Sequence, residues 1–231
     1  MRNQEWQSIW SKKGVVDRGR PLHVINGYDL LTESAWDDMI AKVAAPLQIS
    51  ADQSILEFGC GAGAFLQTLK AITPTLRLNG VDYSETLIEV ARQRLDGDFR
   101  LHDITKPLDS PDNVYDVTAA FAVVNYLDDG AAVDAAISEM IRTSKRRVLI
   151  GEVNDLDKVE LAKAIRATSH VNAQRVSTAV IDQQYFAKST FEAMAKRHQV
   201  RCAIVDHATL GLGDYQAAQY RYSVYFDKGD R

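Results

Sequence analysis

Three carboxylates stand at the ends of short apolar runs: Glu57 within Ser54-Ile55-Leu56-Glu57-Phe58, Asp82 after Leu76 to Val81, and Asp103 after Phe99 to His102. Directly behind the first come three glycines at alternate positions, Gly59, Gly61 and Gly63, followed by Phe65, Leu66, Leu69 and Ile72 at helical spacing. A strand-like run, a glycine break and a helix-like pattern mark a strand, a tight turn and a helix N-terminus, where backbone can approach a ligand closely. Neighbouring carboxylates raise each other's pKa and lower stability. Three of them at one crevice therefore fit a ligand that brings hydrogen-bond donors and a positive charge. The turn also matches a dinucleotide fingerprint as Gly59-x-Gly61-x-x-Ala64, but Glu57 would then lie beside a pyrophosphate and repel it.

The elements that position these acids alternate. Strands are predicted over 54–58, 76–81, 99–102, 115–124 and 147–153, with helices over about 63–72, 85–95 and 128–143 between them. Strict alternation implies parallel strands with right-handed crossovers, and ligands in such a sheet bind outside the carboxyl ends of the strands. After Glu152 the rhythm changes. Helices are predicted over 157–168 and 190–198, 169–184 shows no clear period, and strands over 200–205 and 218–226 form an antiparallel pair at the sheet edge. Upstream, Trp6, Ile9 and Trp10 fall at helical spacing before a break at Gly14, and Leu30 to Leu47 reads as a helix capped by Thr32. Residues 1–48 are thus expected as a helical lid segment and residues 49–231 as the main domain, the two forming a single compact unit. The sheet does not need residues 1–29 for its topology, so they are expected to be dispensable for folding.

The run Glu57-x-Gly59-x-Gly61-x-Gly63 resembles the first motif of the class I S-adenosylmethionine-dependent methyltransferases, small-molecule type, and the resemblance covers roughly residues 30–155. It implies a doubly wound, mostly parallel α/β sheet of seven strands, Rossmann-like, in the order third, second, first, fourth, fifth, seventh, sixth. It implies S-adenosyl-L-methionine as cofactor. Carried over, Gly59, Cys60, Gly61 and Gly63 form the turn that meets the cofactor, and Glu57 orients that turn or the ammonium group. Asp82 accepts from both ribose hydroxyls while Tyr83 packs on the adenine. Asp103 and Ile104 contact the adenine edge, Phe121 and Ala122 form the floor, and Tyr28 of Gly27-Tyr28-Asp29 reaches the cofactor carboxylate.

Methyl transfer is governed mainly by in-line positioning, which supplies effective molarities up to ~10⁵–10⁸ M, against ~10²–10⁴ for a general base. The candidate bases are His170, Tyr185, His207 and Glu152, with His102 set behind them because it falls beside the adenine site. Asn125-Tyr126 stands where nucleic-acid and amide N-methyltransferases carry Asn/Asp-Pro-Pro-Tyr, but both prolines are missing. O-methylation of a small molecule is therefore the expected reaction. With 231 residues and a net charge of −4 the chain has no basic block for nucleic acid. It has no apolar run near the ~20 residues of a membrane helix and no metal-spaced cysteines. A cytoplasmic protein, monomer or homodimer, acting on a small-molecule acceptor without metal, membrane or nucleic acid, is the expectation. The competing readings are an NAD(P)-dependent oxidoreductase and a methyltransferase-like subunit that binds without catalysis.

Overall fold

The computed structural model describes residues 2–170 and 183–229, the side chains of residues 2–4 and 168–170 excepted. Its strands are β1 (Ser54–Phe58), β2 (Arg77–Asp82), β3 (Gly97–Leu101), β4 (Tyr115–Phe121), β5 (Ser144–Asn154), β6 (Arg201–Asp206) and β7 (Arg221–Asp227). They form one sheet in the order β3-β2-β1-β4-β5-β7-β6. β1 to β5 are mutually parallel, and β7 runs antiparallel to both β5 and β6. The doubly wound sheet expected from the sequence is therefore present, with its antiparallel edge.

The helices are α1 (Arg2–Val16), α2 (Leu22–Ile25), α3 (Glu33–Ala44), α4 (Ala64–Ile72), α5 (Glu85–Arg94), α6 (Gly130–Thr143), α7 (Val159–His170) and α8 (Lys188–His198). Two apolar clusters lie on opposite faces of the sheet, as the period of a strand requires. Along β1, Ile55 joins the cluster with α3, α4 and α5, whereas Leu56 and Phe58 join the one with α6 and α8. Helix α3 begins at Thr32, whose Oγ1 accepts the Ala35 N–H at 3.2 Å. Ser84 precedes α5 without a side-chain cap; its N–H donates instead to Asp82.

Strand and helix ends shift by up to three residues from the sequence reading, and three differences have a physical cause. Helix α1 runs straight through Gly14, because that glycine is the point where α1 lies on α5: a Cβ there would sit 2.5 Å from Thr86 Oγ1. The last strand starts at Arg221, since residues 216–220 form a short 3₁₀ turn that presents Tyr215 and Arg221 near the end of β5. The segment ahead of the sheet is not separable by packing. Leu22 and Ile25 are buried in the same cluster as Ile55 and Phe65, and Trp6 is fully buried against Tyr126, ring centroids 4.6 Å apart. Most of the irregular stretch 169–184 lies outside the described residues.

Candidate functional site

The glycine turn is built by three separate constraints. Gly59, Gly61 and Gly63 all have positive φ, at 74°, 54° and 87°. A Cβ on Gly59 would meet Val123 at 2.4 Å, one on Gly61 would meet Asn26 Oδ1 at 2.8 Å, and one on Gly63 would meet Leu95 at 2.5 Å. These glycines thus answer first to the chain around them. Asn26 clasps the turn: its Oδ1 accepts the Ala62 N–H at 2.8 Å and its Nδ2 donates to the Cys60 carbonyl at 3.1 Å. From below, Asp82 Oδ2 accepts the Gly61 N–H at 2.9 Å and Oδ1 accepts the Ser84 N–H at 2.8 Å. One carboxylate therefore ties the turn after β1 to the start of α5.

Over this turn lies a cavity of about 540 Å³, within the ~300–1,000 Å³ usual for small-ligand sites. Tyr28, Glu57, Gly59, Gly61, Asp82, Tyr83, Asp103, Ile104, Phe121 and Ala122 all line it. The structure thus gathers ten of the twelve residues assigned to the cofactor from the resemblance. Cys60 and Gly63 are not among its walls. The Cys60 side chain is buried against Gly80, where an added Cβ would come within 2.7 Å of its sulfur, and Gly63 abuts Leu95 as the N-cap of α4. Both are held in the turn by packing against the chain around them.

The acids sit in unequal surroundings. Glu57 is buried, and its Oε2 has no hydrogen-bond partner among the described residues. Burial, reinforced by the nearby Asp82 charge, pushes its carboxyl well above the usual carboxylate range. Burial also lifts Asp82 to about 6, against the opposing pull of the backbone N–H groups of Ser84, Gly61 and Tyr83. Asp103 gives Oδ1 to Thr105, from the N–H at 3.0 Å and the hydroxyl at 2.7 Å. Among the described residues no hydrogen bond reaches its Oδ2. An unpartnered buried oxygen and two carboxylates raised by burial are a site short of positive charge and donors.

The floor and one wall are aromatic. Phe121 stacks on Phe65 at 5.1 Å, with Trp36 and Tyr28 rings 5.9 and 6.0 Å away. Trp10 and Tyr126 close another side, their rings 5.6 Å apart. Two non-glycine residues here, Ala122 just after β4 and Glu152 within β5 where its register on β7 shifts between Ile150 and Val153, hold positive φ of 60° and 62°. Such strain persists where surrounding contacts over-determine the backbone, and it clusters at functional sites. Here Ala122 N–H donates to the Gly151 carbonyl at 3.0 Å, and Asn125 Nδ2 donates to the Glu152 carbonyl at 2.7 Å.

Of the candidate bases, neither Glu152 nor Tyr185 is among the residues lining the cavity. Glu152 is fully buried. Its Oε2 accepts from Tyr28 at 3.3 Å and also from Tyr215 and Arg221, while Oε1 faces His207 Nδ1 at 2.7 Å. Burial alone would raise its carboxyl, but the Arg221 charge, His207 and Tyr215 overcome that and hold it at about 2. A general base works best with a pKa near the operating pH, so the assignment of Glu152 as base is corrected: it is an anchor. Tyr185 is half-buried with Arg166 over its ring at 5.6 Å, and it is not among the residues lining the cavity. The side chain of His170, at the end of α7, lies outside the described residues. Sequence reasoning missed Asn26, Tyr215 and Arg221, whose roles come from contacts across 34 to 69 residues of chain, and it noted Tyr126 only beside Asn125 and not as a wall of the cavity. Only the neighbouring Gly27-Tyr28 hinted at Asn26.

Comparison with known proteins adds to this geometry. Residues 55–147 match a family model described as a methyltransferase domain. An uncharacterized 37.1 kDa protein of transposon TN4556 from Streptomyces fradiae is 33% identical over 144 residues, covering 57% of this chain and 40% of that protein. Malonyl-[acyl-carrier protein] O-methyltransferase of Bacillus cytotoxicus is 37% identical over 78 residues, 32% of this chain and 27% of that enzyme. The chain thus spans less than half the length of these curated relatives. Among solved structures, geranyl diphosphate C-methyltransferase from Streptomyces coelicolor, in complex with Mg²⁺, geranyl diphosphate and S-adenosyl-L-homocysteine, superposes with a TM-score of 0.64 at 14% identity, covering 98% of each chain. The PH0226 protein of Pyrococcus horikoshii superposes with a TM-score of 0.61 at 17% identity, covering 86% of this chain and 93% of its own.

Proposed function

We propose that this chain, a protein of the class I S-adenosylmethionine-dependent methyltransferase fold with its methyltransferase domain at residues 55–147, is an enzyme that methylates an oxygen of a small-molecule acceptor. The observation that carries the reading is the meeting of Glu57, Asp82 and Asp103 around one cavity, with a buried Glu57 oxygen lacking a partner. A pyrophosphate would worsen that site, whereas an ammonium and a ribose diol would satisfy it. Glu57 would face the ammonium group, Asp82 the ribose hydroxyls, and Asp103 with Ile104 the adenine edge, with Tyr83 packed beside the ring. S-adenosylmethionine held there would supply a methyl group activated by its sulfonium; transfer to an acceptor oxygen would leave the neutral thioether, and the acceptor's proton would pass to solvent. The chain contributes position and exclusion of water, through the aromatic walls and the cover formed by residues 1–48.

O-methylation is favoured over N-methylation by the state of Asn125. Its Nδ2 donates to the Glu152 carbonyl, and its Oδ1 accepts the Asn154 N–H at 3.0 Å, so its amide staples β4 to β5 rather than facing an amine. Among the described residues no helix is long and apolar enough to cross a membrane. Cys60 and Cys202 are both free thiols, which agrees with a reducing, cytoplasmic setting.

The reading is tested by thermal shift and calorimetry with S-adenosylmethionine, S-adenosylhomocysteine, NAD and NADP. The first two should stabilise the protein by mass action; stabilisation by a nicotinamide cofactor alone would replace the reading with the oxidoreductase one. Asp82→Ala should weaken S-adenosylhomocysteine binding by about ten- to a hundredfold, since hydrogen bonds to a charged group are worth roughly 1.5–3 kcal/mol. Because Asp82 also holds the Gly61 and Ser84 N–H groups, Asp82→Asn is the needed companion: it keeps an acceptor and loses the charge. Unchanged affinity in both variants would remove Asp82 from the site.

A pH dependence follows. With Asp82 raised to about 6, it is the carboxylate that accepts the ribose hydroxyls above that pH, and below it the site must first lose a proton. Affinity should therefore be nearly flat above pH 6 on account of this group and fall as pH drops through 6, by roughly tenfold between pH 7 and pH 5. Asp82→Asn should flatten that portion of the profile. A profile that steepens in the opposite direction would contradict the electrostatic account.

A further inference from the structure

At the end of the cavity away from the three acids stands a guanidinium that the cofactor reading does not use. Arg221 opens β7, opposite Asn154 in the β5 register, and lines the cavity while nine-tenths buried. Its Nε donates to Asn154 Oδ1 at 3.1 Å, and Nη1 donates to Glu152 Oε2 and to the Tyr215 hydroxyl, the latter at 2.7 Å. The Tyr220 ring lies 5.5 Å from the guanidinium carbon. These contacts fix the plane of the fork and use three of its five N–H donors. The two on Nη2 have no partner among the described residues. They belong to a residue that lines the cavity, and a fixed planar fork matches the two oxygens of a carboxylate.

Two carboxylates could reach such a donor pair, that of an acceptor and that of the methionine part of the cofactor. The sheet favours the first. Glu57, Asp82 and Asp103 mark the ends of β1, β2 and β3, whereas Arg221 belongs to β7, three strand positions beyond β1. Strands lie ~4.8 Å apart, which sets Arg221 roughly 14 Å from the β1 end. The β3-β2-β1 half of the cavity is the acidic half, and the β4-β5-β7 half, with Tyr126, Tyr215 and Phe121, is left for the acceptor.

We propose that Arg221 holds a carboxylate of the methyl acceptor, so that the enzyme selects organic acids whose apolar body lies along the aromatic wall. The inference rests on the methyltransferase reading above. Arg221 anchors the acid and does not receive the methyl group: a carboxylate paired with a guanidinium is a weakened nucleophile, and the reacting oxygen belongs nearer the Phe121–Ala122 end. Glu152 and Tyr215 are positioning residues that hold the fork in place, and Tyr28, which the resemblance assigns to the cofactor carboxylate, donates to the same Glu152 oxygen and so stands between the two halves of the cavity.

The test is ligand-observed NMR and calorimetry on the protein saturated with S-adenosylhomocysteine, using benzoate, phenylacetate, indole-3-acetate and octanoate, each paired with its primary amide. At least one acid should bind about tenfold or more above its amide. Removing Arg221 alone strands the Glu152 charge, so the informative variants are Arg221→Lys, which keeps a cation but loses the fork, and the double variant Glu152→Gln/Arg221→Met, which leaves no buried charge unpaired. The double variant should bind acid and amide alike, and Arg221→Lys should lose most of the preference, both with S-adenosylhomocysteine affinity within about twofold of wild type. No acid preferred over its amide, or a preference that survives in the variants, overturns the proposal. A collapse of S-adenosylhomocysteine affinity in Arg221→Lys also overturns it and moves the guanidinium to the cofactor's own carboxylate. Failure of wild-type protein to bind S-adenosylhomocysteine would instead sink the methyltransferase reading, while the acid-over-amide comparison on the free protein would still report on Arg221.

Discussion

Gly61→Val should abolish measurable binding of S-adenosylhomocysteine, with a loss well above a hundredfold. Gly61 holds φ of 54°, which a β-branched residue adopts only under strain of roughly 1–3 kcal/mol. The larger effect is steric. The new Cβ would come within 2.8 Å of Asn26 Oδ1, the atom that accepts the Ala62 N–H, so the clasp over the turn must open. Opening it also pulls the Gly61 N–H from Asp82, and the carboxylate assigned to the ribose loses its orientation. Gly61→Ala carries the same strain with less bulk and should fall between the two. Calorimetry on variants shown to be folded by circular dichroism decides the matter. Wild-type affinity in Gly61→Val would mean that the turn does not shape the cofactor site.

Removal of residues 1–29 should leave no cooperatively folding protein. The sequence reading regards this segment as dispensable for topology, but the packing argues otherwise. Trp6, Leu22 and Ile25 are buried to 0–1% exposure. Burial of each is worth roughly 1.5–3 kcal/mol, so their joint loss is comparable to a typical folding stability of ~5–15 kcal/mol. The deletion also removes the Asn26 clasp and the Tyr28 contact to Glu152. Removal of residues 1–20 alone keeps α2 and Asn26. That shorter deletion should melt cooperatively at a lower temperature and bind S-adenosylhomocysteine more weakly, because Trp10, Lys13 and Val16 no longer wall the cavity. Differential scanning calorimetry separates the two. A stable 30–231 fragment with full affinity would show the segment to be an external cover.

The order of elements was legible because parallel strands buried on both faces leave unbroken apolar runs, and their crossovers leave helical periods, in every window of sequence. The same local signals placed Glu57, Asp82 and Asp103 at strand ends and so at one rim, since all strands of a parallel sheet end on one side. The run through Gly14 was misread because a glycine required by helix–helix approach looks, in one dimension, like a glycine required by a turn.

What the sequence by itself determined was the alternation of strands and helices and the rim where Glu57, Asp82 and Asp103 meet, products of local pattern and of the side on which parallel strands end; the order of strands in the sheet came only from the resemblance. Only the tertiary structure decided the other half. Glu152 carries the same carboxyl as Glu57, yet the one is pinned ionised under Arg221, Tyr215, Tyr28 and His207 while the other is buried with an oxygen unpartnered. That difference comes from the antiparallel return of β7, which brings Arg221 beside a residue 69 positions earlier. No local period encodes such a meeting, because a charge's pKa and its chemistry depend on which groups surround it in space, and chain proximity does not report them.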